Sequence, residues 1–280
     1  MNVNHPQLTE RIDTHQHFWQ LGRFAYSWLK PELKVLYRDF LPAEFVPQMA
    51  AAGIQRSLLV QADSSTAETA WLLELANQNP TIAGVVGWVE LAATDLEKTL
   101  AAFQDDDKFK GVRPDTPESD LAIESLLPGL RLLGCLGLTC DLLCNPKSLK
   151  VIQALVEQAP GTQFIIDHLG GGTIVPGGSV EWKNAMQPLA RLPNVALKVS
   201  GFLAYAQPRP PLLATLRPYI AAALELFGAE RLLFGSDWPV CTQGGAYIDA
   251  VNLLQPILSE LSPSDQAAIW GGTAASIYHL

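Results

Sequence analysis

Along the chain, short apolar runs rich in β-branched residues alternate with longer stretches of helical periodicity. The short runs are RIDTHQH (11–17), RSLLVQA (56–62), IAGVVGWVE (82–90), FKGVRP (109–114), LGLTCDLL (136–143), TQFIIDH (162–168), VALKVSG (195–201) and RLLFGSDW (231–238). Near-continuous apolar character at this length reads as strands covered on both faces, as in a parallel sheet. Between them lie LPAEFVPQMAAAG (41–53), which stops on Gly53, and STAETAWLLELANQNP (65–80), which opens on capping residues and closes on Asn79-Pro80. PPLLATLRPYIAAALELFGAE (210–230) precedes the eighth run. Capping residues before and Gly or Pro after an apolar periodic stretch mark helix ends.

Eight strand–helix units in 280 residues predict a single (β/α)8 TIM barrel of the α/β class. A doubly wound open sheet is the runner-up, but no Gly-x-Gly-x-x-Gly turn follows the first strand. No linker or low-complexity stretch divides the chain. Residues 1–280 read as one domain, with SPSDQAAIWGGTAASIYHL (262–280) as a C-terminal helical extension.

The barrel gives positions a meaning, because active residues of such folds sit at the C-terminal ends of strands. Side chains on a strand alternate between faces. Asp13, His15 and His17 then share one face of strand one and Ile12 and Thr14 the other. Ile12 suits the helix-facing side, which points the histidines into the barrel mouth. The other strand ends offer His168 on strand six, inward Lys198 and Ser200 on strand seven, and Asp237 on strand eight. Arg113 lies on strand four and Asp141 on strand five. Each has a structural alternative: a hydrogen-bonded core histidine, a helix cap for Asp237, a rim lysine, a loop ion pair for Arg113. Convergence at one barrel end favours the functional reading.

The composition, 48% hydrophobic and 17% charged, is that of a large-cored globular protein. A net charge of −9 argues against nucleic-acid or anionic-membrane partners and leaves a small molecule as the expected one. The first ten residues, MNVNHPQLTE, lack the apolar region of a signal peptide. Cys135, Cys140, Cys144 and Cys241 match no zinc spacing, which predicts reduced thiols and a cytoplasmic location. GGGTIVPGG (170–178) lacks the Gly-Lys-Ser/Thr ending of a phosphate loop and reads as a βα loop.

DTHQHFW, DHLGG, LKVSG and LLFGSDWPV, in this order, resemble the amidohydrolase superfamily over essentially the whole chain. They are most similar to its amidohydrolase-2 branch of sugar-lactone hydrolases, acting on L-fuconolactone or L-rhamnonolactone, and 2-pyrone-4,6-dicarboxylate lactonases. A two-metal member would carry a bridging lysine or glutamate at the end of strand four and a histidine at the end of strand five. Arg113 and Asp141 stand there instead, and a cation at the bridge repels a metal pair. The resemblance implies that metal can be dispensable in this branch, so a metal-free or weakly metal-dependent reaction, with no cofactor required, is the expectation. A single Zn²⁺ on His15, His17 and Asp237, with His168 as a further ligand, is the alternative.

The expected reaction is hydrolysis of a lactone by direct water attack. Asp237 is the general base, and His15, His17, His168 and Lys198 are donors to the growing oxyanion. No Gly-x-Ser-x-Gly elbow is present. Trp19, Trp28, Trp88 and Trp238 are candidate platforms for a sugar ring, with Gln61, Arg113 and Asp141 as candidate polar contacts. Two rivals remain: a metal-dependent decarboxylase or deacetylating hydrolase on the same fold, and a non-catalytic barrel that binds a sugar acid.

Overall fold

The computed structural model describes residues 10–116, 123–209, 211 and 213–280. All eight predicted strands form: β1 (Ile12–Gln16), β2 (Arg56–Val60), β3 (Ile82–Gly87), β4 (Phe109–Val112), β5 (Thr139–Leu142), β6 (Phe164–Ile166), β7 (Val195–Val199) and β8 (Leu232–Phe234). Consecutive strands pair in parallel, in the order β1 to β8. A bridge between Gln16 and Trp238 joins the last strand's end to the first. There His17 N–H donates to Trp238 O at 2.7 Å and Asp237 N–H donates to His15 O at 2.8 Å. The barrel therefore closes at the point where two candidate site segments meet.

The helices around it are α1 (Pro42–Ala51), α2 (Thr66–Gln78), α3 (Leu96–Ala101), α4 (Ile123–Cys135), α5 (Leu149–Glu157), α6 (Ser179–Ala190), α7 (Phe202–Tyr205), α8 (Leu213–Phe227) and α9 (Tyr247–Leu258). The extension folds into α10 (Pro263–Ala267) and α11 (Thr273–Ile277), with a distorted turn between them. Pro210 and Leu212 of the helical run expected before strand eight lie outside the described residues, as do residues 1–9 of the leader reading. Among the described residues no helix is long and apolar enough to cross a membrane. All four cysteines are free, and only Cys135 is exposed.

Two apolar shells hold the barrel. The outer one lies between strands and helices and includes Leu59, Val85, Val112, Leu142, Phe164, Leu197 and Phe234. The inner one fills the lumen with Ile12, Leu58, Val60, Ala83, Val86, Ile165, Ala196 and Leu233, joined by Ala274 and Tyr278 of the extension. The C-terminal segment is thus part of the barrel's interior packing.

Ile12 corrects the expected face of strand one. It packs inside the lumen, while Asp13 faces α9, where Tyr247 Oη–H donates to its carboxylate at 3.1 Å. The β1–β2 register is irregular between Asp13 and Gln16. Such a bulge re-aims the residues that follow it, so His15 and His17 still enter the mouth even though Ile12 is also inward.

Candidate active site

Three imidazoles and one carboxylate converge at the C-terminal end of the barrel. Asp237 Oδ1 lies 3.5 Å from His17 Nε2, 3.9 Å from His15 Nε2 and 3.9 Å from His168 Nε2. All four side chains are buried. Asp237 Oδ2 has no hydrogen-bond partner. An orphaned buried carboxylate oxygen is costly, and its natural partners are a water, a substrate hydroxyl or a cation. Burial raises the Asp237 carboxyl to about 6, against the opposing pull of His168 and Arg113.

Backbone strain marks the same residues. Asp237 (φ 62°) and His168 (φ 53°) adopt the left-handed region, which costs a non-glycine residue about 1–3 kcal/mol. After β6 this conformation turns the chain so that both Asp167 and His168 face the site. The barrel also has to make room for the histidines. A Cβ on Gly235 would lie 2.8 Å from His15 Cβ and 3.1 Å from Ser200 Cβ, so glycine is required there.

The histidines are neutral and individually held. His17 Nδ1–H donates to Val60 O at 2.9 Å, which leaves its Nε2 lone pair facing the site. Burial, reinforced by Arg113, lowers its pKa to about 3. His15 Nε2 lies 3.1 Å from His17 Nε2, and burial holds His15 well below the usual imidazole range. His168 Nδ1 pairs with Ser200 Oγ at 3.0 Å, and the same oxygen accepts the His168 backbone N–H at 3.2 Å. Ser200 therefore orients His168.

Below this layer sits Asp167, which is absent from the candidates read from the sequence although strand alternation places it inward. Ile165 is inward and Ile166 outward, so the next residue points in. Its carboxylate lies 3.3 Å from His15 Nδ1, 3.2 Å from Lys198 Nζ and 3.6 Å from Arg113 Nη1. Burial alone would raise its pKa, but Lys198 and His15 outweigh burial and hold it well below the ordinary carboxylate range.

The cavity above these residues has a volume of about 530 Å³ and is lined by His17, His168, Asp237, Gln61, Arg113, Trp28 and Tyr205, with Ser27, Ser64, Asp115, Thr116, Asn145 and Ser148 among the outer polar groups. Gln61 and Arg113 clamp each other: Gln61 Nε2 donates to Arg113 O at 3.0 Å and Arg113 Nη2 donates to Gln61 O at 2.6 Å. Trp28 is 39% exposed, with its indole N–H fixed on Ala62 O at 2.7 Å. Tyr205 was not anticipated. Its ring lies 5.5 Å from that of His168, and its hydroxyl has no hydrogen-bond partner among the described residues. Burial, with Asp237 nearby, raises its pKa and keeps it a donor.

Several expected contacts are elsewhere. Trp19 and Trp238 are fully buried in an aromatic cluster with Phe18, Phe40 and Phe45, because the β1α1 loop packs down on α1. They support the wall from behind. Trp88 is tied to α2 through its backbone, with Thr69 Oγ1 accepting its N–H at 2.8 Å and donating to its O at 3.0 Å, and it does not line the cavity. Lys198 and Asp141 point inward as expected but lie one layer too deep to touch a ligand. Lys198 Nζ donates to Asp141 and lies 3.3 Å from His15 Nδ1. Its place as a direct electrophile is corrected to one behind His15.

The donor set also bears on a metal. His15, His168 and Asp237 each present a ligand atom, all within 4.8 Å of one another. In this cluster His168 takes the place expected of His17. Two nitrogens and a carboxylate oxygen suit one Zn²⁺ with an open position, and the orphaned Asp237 oxygen fits that role. Arg113 Nη1, 3.4 Å from His15 Nε2, supplies positive charge where a second ion would need a bridging anion.

Comparison with known proteins gives a consistent picture. A family model described as amidohydrolase matches residues 12–280. An L-fucono-1,5-lactonase from Burkholderia ambifaria is 36% identical over 281 residues, covering 98% of this chain and 97% of that protein. A crystal structure of an amidohydrolase from Burkholderia multivorans with bound zinc has a TM-score of 0.90 at 35% identity, covering 97% of this chain and 99% of that one. A 2-pyrone-4,6-dicarboxylic acid hydrolase structure from Pseudomonas putida, described as putative, has a TM-score of 0.77 at 24% identity, covering 97% and 98%, and shares the fold.

Proposed function

This chain belongs to the amidohydrolase family, and from that premise we propose that it hydrolyses a small polyhydroxylated sugar lactone to its aldonic acid by direct attack of water. The observation that carries this reading is Asp237: a buried carboxylate with its pKa near 6, one oxygen unpaired, facing a cavity among three neutral imidazoles. A base with this affinity for protons accepts one from water at neutral pH and returns it to the leaving alkoxide. Arg113 and the imidazoles of His15 and His168 are the donors available to the carbonyl oxygen as charge grows there, whereas neutral His17, its one N–H spent on Val60 O, is corrected from donor to acceptor. Lys198 and Asp167 support His15 from below. Tyr205, neutral and unpaired, serves the ring oxygen or a hydroxyl.

The cavity favours a neutral sugar ring. Arg113 is the one permanent cation among its described lining residues, and it is already engaged with Gln61 O and close to Asp167. A dicarboxylated ring would ask for a second. Trp28 offers an apolar face, and the serines, Thr116 and Asn145 offer hydroxyl partners. L-Fuconolactone, the kind of substrate implied by the Burkholderia ambifaria relative's name, is the first to try.

If a divalent ion binds, His15, His168 and Asp237 hold it, and it supplies Lewis-acid polarisation of a carbonyl or a more acidic bound water. We propose that the ion is not required. Metal analysis is expected to find at most one ion per chain, and turnover is expected to survive dialysis against chelator. Two ions, or complete and metal-reversible inactivation, contradict this. A pH-indicator assay over aldonolactones, acyclic esters and carboxylated aromatics tests the substrate class. Turnover confined to the carboxylated aromatics would refute it.

A further inference from the structure

A polar column descends from the site through a lumen that is otherwise apolar. From His15 Nδ1 it passes to Lys198 Nζ at 3.3 Å, and from Lys198 to the Asp141 carboxylate. It ends on the hydroxyl of Tyr278, which lies 3.0 and 3.2 Å from the two oxygens of Asp141. All four side chains are buried. Tyr278 follows α11, in the segment that packs into the lumen from the end opposite the cavity.

We propose that Tyr278 is a positioning residue for the reaction. Its O–H fixes the Asp141 carboxylate, Asp141 fixes the Lys198 ammonium, and Lys198 with Asp167 sets the angle of the His15 imidazole beside Asp237. A lysine ammonium has three donors on a flexible four-carbon stem. Here those donors face Asp141, Asp167 and His15, so the geometry of Asp141 decides where the ammonium sits. Among the described residues, the remaining donor to Asp141 besides Tyr278 and Lys198 is Thr139 Oγ1, at a long 3.4 Å. The neighbouring Ile165, Ala196 and Leu233 give the carboxylate no polar hold. In a low-dielectric network each bond orients the next, so Tyr278 reaches the catalytic layer through two ion-paired side chains.

Tyr278→Phe deletes the hydroxyl and keeps the ring. The expected result is a kcat lowered roughly tenfold, the low end of what loss of a partner behind a site histidine costs. KM stays within about twofold, and the ring ¹⁵N resonances of His15 shift. Asp141→Asn behaves alike and serves if the phenylalanine variant melts below the assay temperature. The double variant loses no more than the worse single one, because both act through one chain. Wild-type kcat with unmoved His15 resonances, or additive losses, overturns the proposal. The kinetic readout rests on the lactonase reading. A wild-type enzyme that opens no lactone strikes that reading, and the His15 resonances then decide the positioning role alone.

Discussion

In the lower half of the lumen Ile12, Leu58, Ala83, Ile165, Ala196 and Leu233 pack against one another and against Ala274. Two to four residues further along the chain from these positions the lumen holds Asp167, Lys198, His15 and Asp237, with unpaired carboxylate oxygens and left-handed backbone. The lower half gains from apolar burial, roughly 25 cal/mol per Å². The upper half gives stability away, because desolvated charges and strained turns cost free energy unless something binds there. Lys198 marks the seam. Its neighbour on β7 at the inner face, Ala196, is apolar packing, while its own charge is neutralised by Asp141 and Asp167. The packed half is a rigid floor on which the polar half is held in an otherwise unfavourable arrangement.

That contrast breaks first at the seam. Lys198→Met leaves Asp141 buried without its cation and Asp167 with only the more distant Arg113, and should cost about 3–5 kcal/mol of stability, read as a lower denaturant midpoint, together with most of kcat. A large rise in KM with kcat intact would mean that the ammonium touches substrate after all. In the floor, Leu233→Ala should cost about 2–5 kcal/mol through the cavity it leaves. Its kcat should stay near wild type at a temperature where it is folded. A matching collapse of kcat would show that floor and site are not separable. On the wall, Tyr205→Phe should lower kcat roughly tenfold, the value of about one hydrogen bond, with an unchanged melting temperature. Full activity in that variant would remove Tyr205 from the reaction.

The barrel was legible because buried parallel strands leave a strong apolar signal, and the helix stops at Gly53 and Asn79-Pro80 fell where helices end. His15, His17, His168, Arg113, Gln61, Trp28 and Asp237 reach the cavity or its floor because strand ends define the mouth. Depth was not legible. Periodicity assigns a face to Lys198 and Asp141, whereas their distance below the mouth depends on the stagger between strands, fixed only when Lys198 pairs with Leu233 and Asp141 with Ile165. The aromatic residues failed for a related reason. Trp19 and Trp238 sit just past the ends of β1 and β8, but the two segments pack against Phe40 and the α1 residue Phe45, which buries both rings. Ile12 was assigned to the wrong face because a bulge breaks the period of two. Tyr278 belongs to a C-terminal segment whose helical pattern says nothing about which cavity it fills.

The most direct test is kcat of Asp237→Asn on a lactone that the wild-type enzyme opens, with both proteins freed of metal and shown to be folded by circular dichroism. The amide cannot accept the proton from water, so kcat should fall at least about a hundredfold. The wild-type profile supplies the matching sign. The base works only when ionised, so kcat/KM should be flat above the Asp237 pKa of about 6 and fall as the pH drops through it, and that acid limb should be missing from the residual activity of the variant. A variant that retains near wild-type kcat, with the same acid limb, would contradict the account.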